Sequence, residues 1–264
     1  MSEPIWVWGV PFAPVTRGEA ADLVDSLIEQ RIPSYFITAN THYAMLTKDN
    51  PDLDEINRKA AFILADGAPV VWSSRLSGDP LPERVAGSDL IFDLCERSAT
   101  KGYRIFLLGG EVGVGEKAAA RLVDRYPGLR IVGVEAPPFR EPTPDEHSRL
   151  IQQIRDSKAD ILFIAFGQPK GERWMYRNYQ STGVPVSVQV GASLDFAAGR
   201  VKRAPLWIQR IGMEWAYRLW LEPGRLFSRY AKNAWFIVQM TLRDLFSKSK
   251  GREMPKPDRT EIMR

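Results

Sequence analysis

"ADILFIAFGQPKGE", residues 159–172, is the stretch that most directly indicates the fold. It begins with a short apolar run of β-branched and aromatic side chains, bounded by aspartate and glycine, which favours a buried strand over a buried helix. Similar runs occur at residues 5–10, 34–40, 61–67, 103–110, 129–134 and 184–192. Amphipathic stretches separate these runs, so the sequence predicts alternating strands and helices and therefore a parallel sheet.

Two of the intervening stretches carry helix start signals. Thr16 is followed three residues later by Glu19, and Thr143 by Glu146, which is the pattern of a capping box. Together with the strand-like runs, these signals predict the α/β class, with a Rossmann-like parallel-sheet domain over residues 1–205.

The composition is that of a globular protein. The chain has 264 residues, of which 44% are hydrophobic and 26% charged. The single cysteine, Cys95, excludes an internal disulfide and favours a reducing, cytosolic location. The N-terminal MSEPIWVWGVPF lacks the features of a secretory signal, and no segment offers the roughly 20 apolar residues of a transmembrane helix.

The charge of the chain is distributed unevenly. Residues 203–264 contain 13 Lys and Arg against 6 Asp and Glu, whereas residues 1–202 contain 23 against 26. Half of the eight tryptophans also lie in this last part: Trp207, Trp215, Trp220 and Trp235. This asymmetry indicates an acidic partner for the C-terminal part, which is a membrane surface, a phosphate-bearing ligand or nucleic acid.

The sequence pattern changes after Ala204-Pro205. Apolar residues recur at helical spacing from 206 to 221, Pro223-Gly224 interrupts the pattern, and a second helical stretch runs to about 247. Residues 206–248 are therefore expected to form a basic amphipathic helical appendage, and residues 249–264 a mobile polar tail. The appendage would lie on a membrane, or pack its apolar face on the main domain or on another subunit.

Several predicted strands end in polar residues, and ligands of open α/β sheets bind at the carboxyl ends of the strands. The side chains concerned are Thr38, Asn40, His42, Asp66, Arg84, Gln168, Lys170, Glu172 and Asp195, with Gly87 and Gly191 beside them. A structural explanation is open for each, since Asn40 could cap the next helix and Asp66-Gly67 could form a turn. Their accumulation at one edge predicts a binding site.

Other chemistries find less support. The stretch LLGGEVGVGE, residues 107–116, departs from the GxGxxG spacing, so it either seats a nucleotide phosphate or packs a helix close to the sheet. His42 and His147 lie far apart, and the aspartates of DLD, residues 52–54, fall at a polar helix start, so neither a metal site nor a cofactor is predicted. The G-x-S-x-G motif of serine hydrolases is absent from the sequence.

The strand ends and the C-terminal segment together resemble one family. The motifs TANTHY, LADGAPVVW, ERVAGSDL, FLLGG, GQPKGERW, VGASLDFAAGRVKRAP and GMEWAYRLWLEPGRLFSRY look like successive signatures of the WecG/TagA/CpsF glycosyltransferases, over roughly residues 5–235. The resemblance implies an inverting, metal-independent transfer from a UDP-sugar to a polyprenyl-diphosphate-linked saccharide. It also implies a peripheral location at the cytoplasmic face of the bacterial inner membrane, with the anionic membrane surface rather than nucleic acid as the partner and a homo-oligomer as an open possibility.

The resemblance further implies roles for individual residues. Asp66 would be the general base, and Arg84 and Gln168 would contact the donor or the reacting groups. Arg218, Arg225 and Arg229 would reach over to the diphosphates from the appendage, which would cap the active site. The donor pocket would include Thr38, Asn40, Gln168, Gly191 and Asp195. The chain departs from the family pattern at His42, often Glu, at Gly171, usually Gln, and at Ser228, commonly Arg, for which Arg229 would substitute.

This reading has a chemical rationale. An acceptor hydroxyl needs a base to remove its proton, and the departing diphosphate needs fixed cations, which arginine supplies in a fork that matches phosphate oxygens. Two other classes stay open at this point: a nucleotide-dependent oxidoreductase that uses the glycine-rich loop, and a non-catalytic scaffold at the membrane.

Overall fold

The structure is a computed structural model that describes residues 2–138, 140–201, 203–205, 207–208 and 212–249. The side chains of Arg225 and of residues 244–249 lie outside this description. Residues 250–264, which are most of the expected tail, lie outside it as well.

The centre of the molecule is a six-stranded, wholly parallel sheet. Its strands are β3 (Ser34–Ala39), β4 (Ile63–Ala65), β5 (Arg104–Gly109), β6 (Arg130–Glu135), β7 (Ile161–Ala165) and β8 (Val186–Gln189), in the spatial order β4-β3-β8-β7-β5-β6. Each of the six corresponds to a run predicted from the sequence, so the α/β class is confirmed.

The expectation for residues 5–10 was wrong. These residues do not form one strand of the main sheet but an antiparallel hairpin of β1 (Ile5–Val7) and β2 (Val10–Phe12). The reversal occurs at Trp8 and Gly9, whose φ angles of 53° and 85° are both positive, as a two-residue hairpin turn requires. An apolar run that contains Trp8 at the turn gives no local sign of this reversal.

Helices cover both faces of the sheet. They are α1 (Arg17–Gln30), α2 (Thr41–Asp49), α3 (Asp52–Lys59), α4 (Ala68–Ser77), α5 (Gly87–Lys101), α6 (Val114–Arg125), α7 (Pro144–Asp156), α8 (Lys170–Thr182), α9 (Ser193–Ala197), α10 (Glu214–Leu221) and α11 (Pro223–Ser249). Both predicted capping boxes are present, at the start of α1 and of α7.

The core has two layers, one on each face of the sheet. Side chains alternate along each strand, so that Phe163 of β7 packs with α1, α5, α6 and α9, and its neighbours Leu162 and Ile164 pack with the opposite layer. That opposite layer contains α2, α3, α4, α7, α8 and the β1–β2 hairpin.

The C-terminal helix α11 is part of the second layer. Its buried residues Phe236 and Met240 belong to that core, and the Phe236 ring meets the Trp8 ring edge to face at 5.4 Å between centroids. Pro223 is the first residue of α11, where its missing N–H costs nothing, and the break between α10 and α11 lies at Glu222. The helical pair is thereby held at the sheet by packing.

Candidate active site

The polar strand ends meet at the carboxyl edge of the sheet, where β4, β3, β8 and β7 lie side by side. The Thr38 hydroxyl, on β3, donates to the Gln189 carbonyl oxygen of β8 at 3.3 Å. The Gln168 side-chain amide, just beyond β7, donates to the Thr38 carbonyl oxygen, also at 3.3 Å. These bonds bring Thr38 and Gln168 together, as the sequence predicts for residues of one site.

Asn40 serves the local structure. It is the N-cap of α2, and its side-chain oxygen accepts the backbone N–H of Tyr43 at 3.1 Å. The helix-capping explanation offered by the sequence therefore describes its contact in this structure. Asn40 itself directly follows β3, at the carboxyl edge of the sheet.

Asp66 is a predicted site residue whose pKa is strongly raised. It follows β4 directly, is partly buried, and accepts the backbone N–H of Gly87. Burial raises the pKa of its carboxyl group to about 6, with the negative charges of Glu214 and Asp89 adding to the rise and Arg84 opposing it. A carboxylate with a pKa near neutrality can both accept and release a proton at physiological pH.

Arg84 belongs to a closed ring of four charged side chains. It donates to Asp89 at 3.1 Å and to Glu214 at 3.3 Å, while Arg203 donates to Asp89 at 2.8 Å and its Nε lies 3.7 Å from Glu214. We call these four residues the Arg84 ring. The sequence did not indicate that Glu214 contacts Arg84, which lies 130 residues earlier in the chain.

The predicted phosphate-binding arginines occupy two places. The Arg218 guanidinium lies 5.5 Å from the centre of the Phe196 ring, and Arg203 lies against the same ring at 5.8 Å, so α10 is held over α9 beside the strand ends. Arg229 of α11 lies near His42 at the start of α2, since its charge helps to lower the pKa of His42, after the larger effect of burial. The Arg225 side chain lies outside the described residues.

The remaining donor-pocket predictions fall on neighbouring loops. Gly191 follows β8 with a φ of 53° and donates its N–H to the Gln189 side-chain oxygen at 2.7 Å. Asp195 lies in α9, partly buried, with the Arg200 guanidinium at 4.0 Å. Both positions are at the carboxyl edge, beside Thr38 and Gln168.

The glycine-rich loop after β5 has a packing role. A Cβ atom at Gly115 would approach Val134 of β6 to 2.5 Å, so the glycine allows α6 to lie close to the sheet. Of the two explanations offered by the sequence, close helix packing is the one that the contacts support.

Glu172 is a buried group that the sequence singled out without a role. Its side chain is fully buried at the start of α8, where neither carboxylate oxygen has a hydrogen-bond partner among the described residues, and burial raises its pKa to about 7. Gly171 beside it leaves room for the Gln189 side chain, which a Cβ would approach to 2.6 Å. Polar side chains thus continue from the strand ends into the core beneath them.

Within the described part of the chain, no group of three or more His, Cys, Asp or Glu side chains is placed to hold a metal ion. Over the same residues, no helix combines the length and the apolar character needed to cross a membrane.

A carboxylate with a raised pKa beside a guanidinium group, at the carboxyl edge of a parallel sheet, is an arrangement typical of the active site of an α/β enzyme. The WecG/TagA/CpsF family of glycosyl transferases matches residues 5–251. The chain belongs to this family, and it is a glycosyltransferase. The oxidoreductase and scaffold alternatives are not supported.

Two Bacillus enzymes are similar to the chain, and both are named N-acetylglucosaminyldiphosphoundecaprenol N-acetyl-beta-D-mannosaminyltransferase. The enzyme from Bacillus subtilis strain 168 is 31% identical over 216 residues, which are 80% of this chain and 82% of the relative. The enzyme from Bacillus spizizenii is 31% identical over 203 residues, 77% of each chain.

Proposed function

We propose that this enzyme transfers an N-acetylmannosaminyl group from a UDP-sugar to a polyprenyl-diphosphate-linked N-acetylglucosamine, in the synthesis of a bacterial cell-surface polymer. The names of the two Bacillus relatives, which align with about four fifths of the chain, support this choice of sugar and acceptor. The observation that carries the chemistry is the Asp66 carboxyl group, with its pKa of about 6, beside Arg84.

In the proposed reaction Asp66 acts as the general base. It removes the proton of the acceptor hydroxyl while that oxygen attacks the anomeric carbon from the face opposite the UDP group, so the configuration is inverted. Thr38, Gln168, Gly191 and Asp195, which surround the strand ends, are proposed to bind the donor, with the amide of Asn40 beside them. One bond forms to the acceptor oxygen, the bond to the UDP oxygen breaks, and the proton stays on Asp66.

The departing diphosphate gains negative charge in this step, and we propose that arginines neutralise it in place of a metal ion. Arg84 and Arg218 are connected through the Arg84 ring and Phe196, so both lie at the same edge of the sheet. Arg225 and Arg229 of α11 are proposed to extend this set toward the acceptor diphosphate. The helices α2, α5, α6 and α8 begin at the same edge, and their N-terminal dipoles also favour anions.

We further propose that residues 206–248 bring the enzyme to the cytoplasmic face of the bacterial inner membrane, as a peripheral appendage to the catalytic domain of residues 1–205. One face of α11 packs on the domain, but the helical pair also exposes large apolar side chains: Trp220 by 76%, Phe227 by 66% and Trp235 by 64%. Together with the excess of basic residues after residue 202, these side chains suit an anionic membrane surface, where the lipid-linked acceptor resides.

The function is tested by incubating the enzyme with UDP-N-acetylmannosamine and a short-chain prenyl-diphosphate-linked N-acetylglucosamine, with mass analysis of the product. UDP-N-acetylglucosamine is the matched control donor, because it differs only in the configuration at one carbon. We expect a disaccharide product from the first donor. If the first donor stays intact and another UDP-sugar is consumed, the proposed sugar is wrong.

The membrane proposal is tested separately, by flotation with vesicles that contain anionic lipid. Removing residues 206–264 would also uncover Trp8, so point substitutions are the better probe. Trp220→Ser and Trp235→Ser together should weaken vesicle binding while leaving turnover of the short-chain acceptor close to that of the parent. The exposed Val123→Ser, on α6, is the control. Equal vesicle binding by the double variant and the parent would contradict the proposal.

A further inference from the structure

The Arg84 ring joins parts of the chain that are far apart in sequence. Arg84 lies in the loop before α5, Asp89 in the first turn of α5, Arg203 after α9, and Glu214 is the first residue of α10. The four side chains are well shielded from solvent, with exposed fractions of 22%, 15%, 20% and 11% in that order. At this degree of shielding the charges interact more strongly than an exposed surface pair would.

Glu214 is the one member of the ring that belongs to the C-terminal helices. Its carboxylate reaches Arg84 with one oxygen and approaches Arg203 with the other. The Nε atom of Arg203 is buried and has no hydrogen-bond partner within the described residues, so Glu214 at 3.7 Å provides its charge compensation on that side. A carboxylate in the first turn of a helix is also favoured by the helix dipole.

We propose that Glu214 is a positioning residue of the transferase. It holds Arg84 beside Asp66, and it fixes the start of α10 so that Arg218 lies over the strand ends. This inference rests on the proposed function, because it assigns Asp66 and the arginines to the transfer reaction. It adds a residue for which no role was predicted.

The geometry gives Glu214 two effects that can be measured separately. The first is mechanical: without its carboxylate, Arg84 keeps only Asp89 as a partner in the ring, and α10 loses its ionic contact with the domain. The second is electrostatic, because the charged groups that act on Asp66 are Arg84, Glu214 and Asp89. Replacing Glu214 by a neutral residue removes one of the two negative charges from this set, and that change lowers the pKa of Asp66.

The test compares Glu214→Gln with the parent, using the soluble short-chain acceptor so that membrane binding does not limit the rate. We expect kcat to fall by about 10–100-fold, the size of effect that follows from a misplaced catalytic group. We also expect the acid limb of the kcat/KM profile to move to lower pH. Glu214→Asp keeps the charge and shortens the side chain, so it should lower kcat while the acid limb stays in place. Glu29→Gln, the same substitution on an exposed part of α1, is the control and should change neither quantity.

Hydrogen exchange of α10 provides a readout that does not depend on activity. Backbone amides of Glu214–Leu221 should exchange faster in Glu214→Gln than in the parent, whatever reaction the enzyme catalyses. An inactive parent would contradict the proposed function and leave this measurement intact. An active parent whose Glu214→Gln variant keeps the acid limb, or keeps the exchange rate of α10, would overturn the positioning role. If Glu214→Gln does not fold, Glu214→Asp decides, and unchanged kcat in that variant would overturn the proposal.

Discussion

The pKa values of two aspartates at opposite edges of the same sheet are shifted in opposite directions. Asp160, at the amino edge, is 3% exposed, and its carboxylate accepts the Arg104 backbone N–H at 2.9 Å and the Arg31 guanidinium at 2.8 Å, with further bonds from the Arg104 side chain. Burial opposes its ionisation, but these bonds prevail and lower its pKa. Burial raises the pKa of Asp66, at the carboxyl edge, to about 6, with Arg84 opposing the rise and Glu214 and Asp89 adding to it. A carboxylate whose negative charge is balanced by several hydrogen bonds and cations stabilises the fold. A buried carboxylate with fewer such partners has a raised pKa and can take part in proton transfer.

The two edges differ because helices end at the amino edge of the sheet and begin at the carboxyl edge. Helices α1, α7 and α8 end at the amino edge, beside a cavity of about 260 Å³ that Arg31, Arg104, Arg155 and Lys158 help to line. These cations face helix C-termini, whose free carbonyl groups attract positive charge, and Arg155 donates to the Ser181 carbonyl oxygen near the end of α8. The basic cavity is thus accounted for by the fold, and the helix N-termini at the other edge are left facing the proposed substrate.

The largest effect is expected from replacing Asp66. Asp66→Asn should lower kcat by about 10²–10⁴-fold, the usual contribution of a general base, because the amide cannot accept the acceptor proton. UDP-sugar affinity, measured by calorimetry, should stay close to that of the parent. Near-normal turnover in this variant would remove Asp66 from the role of base.

Arg218→Ala should have the next largest effect. If its guanidinium stabilises the departing diphosphate, the loss acts on the transition state and should cost about 10²–10³-fold in kcat with the short-chain acceptor. Arg243→Ala, an exposed position on the same pair of helices, is the matched control and should affect vesicle binding by about 1 kcal/mol at most. Equal turnover by Arg218→Ala and the parent would show that Arg218 contributes only to membrane binding and not to the transfer reaction.

The contrast between the edges shows what the sequence could predict. The six strands of the sheet carry their own apolar pattern, and the polar ends of those strands follow from the parallel topology, so Thr38, Asp66 and Gln168 could be grouped correctly. The hairpin at Trp8 and the Arg84 ring could not be foreseen, because each depends on contacts between segments that lack a local signal. Which of the polar residues carry out the chemistry stays a prediction.

At the amino edge, Asp160→Asn should affect stability and leave turnover close to that of the parent. Loss of a buried, hydrogen-bonded partner should lower the free energy of unfolding by about 1–3 kcal/mol at pH 7, measured by urea denaturation. Because the folded-state pKa is lowered, the contribution is complete above the ordinary aspartate pKa of about 3.9 and is lost as the pH falls through the folded-state value. A variant as stable as the parent at pH 7 would contradict the assignment of Asp160 to the fold.

The pH dependence of the parent should report Asp66. A base must be deprotonated to act, so kcat/KM should be constant above pH 7 and fall about tenfold per pH unit well below the Asp66 pKa of about 6. The acid limb of a carboxylate with an ordinary pKa would lie about two units lower. A profile that is flat down to pH 4.5 would show that the raised pKa of Asp66 does not govern the reaction.

The smallest effect is expected from chelation. If guanidinium groups neutralise the diphosphate, EDTA should leave turnover unchanged, and added Mg²⁺ or Mn²⁺ should not raise it. The alternative ligands suggested by the sequence are Asp52 and Asp54, but both lie in the first turn of α3, where Asp52 is paired with Arg173 at 2.6 Å. A metal at this position would have to displace that guanidinium, whereas Arg84 and Arg218 lie where the strands end. Loss of activity with EDTA, restored by Mg²⁺, would show that arginine does not replace the metal. The positive charge that neutralises the diphosphate at the carboxyl edge would then come from a bound metal ion and not from the protein.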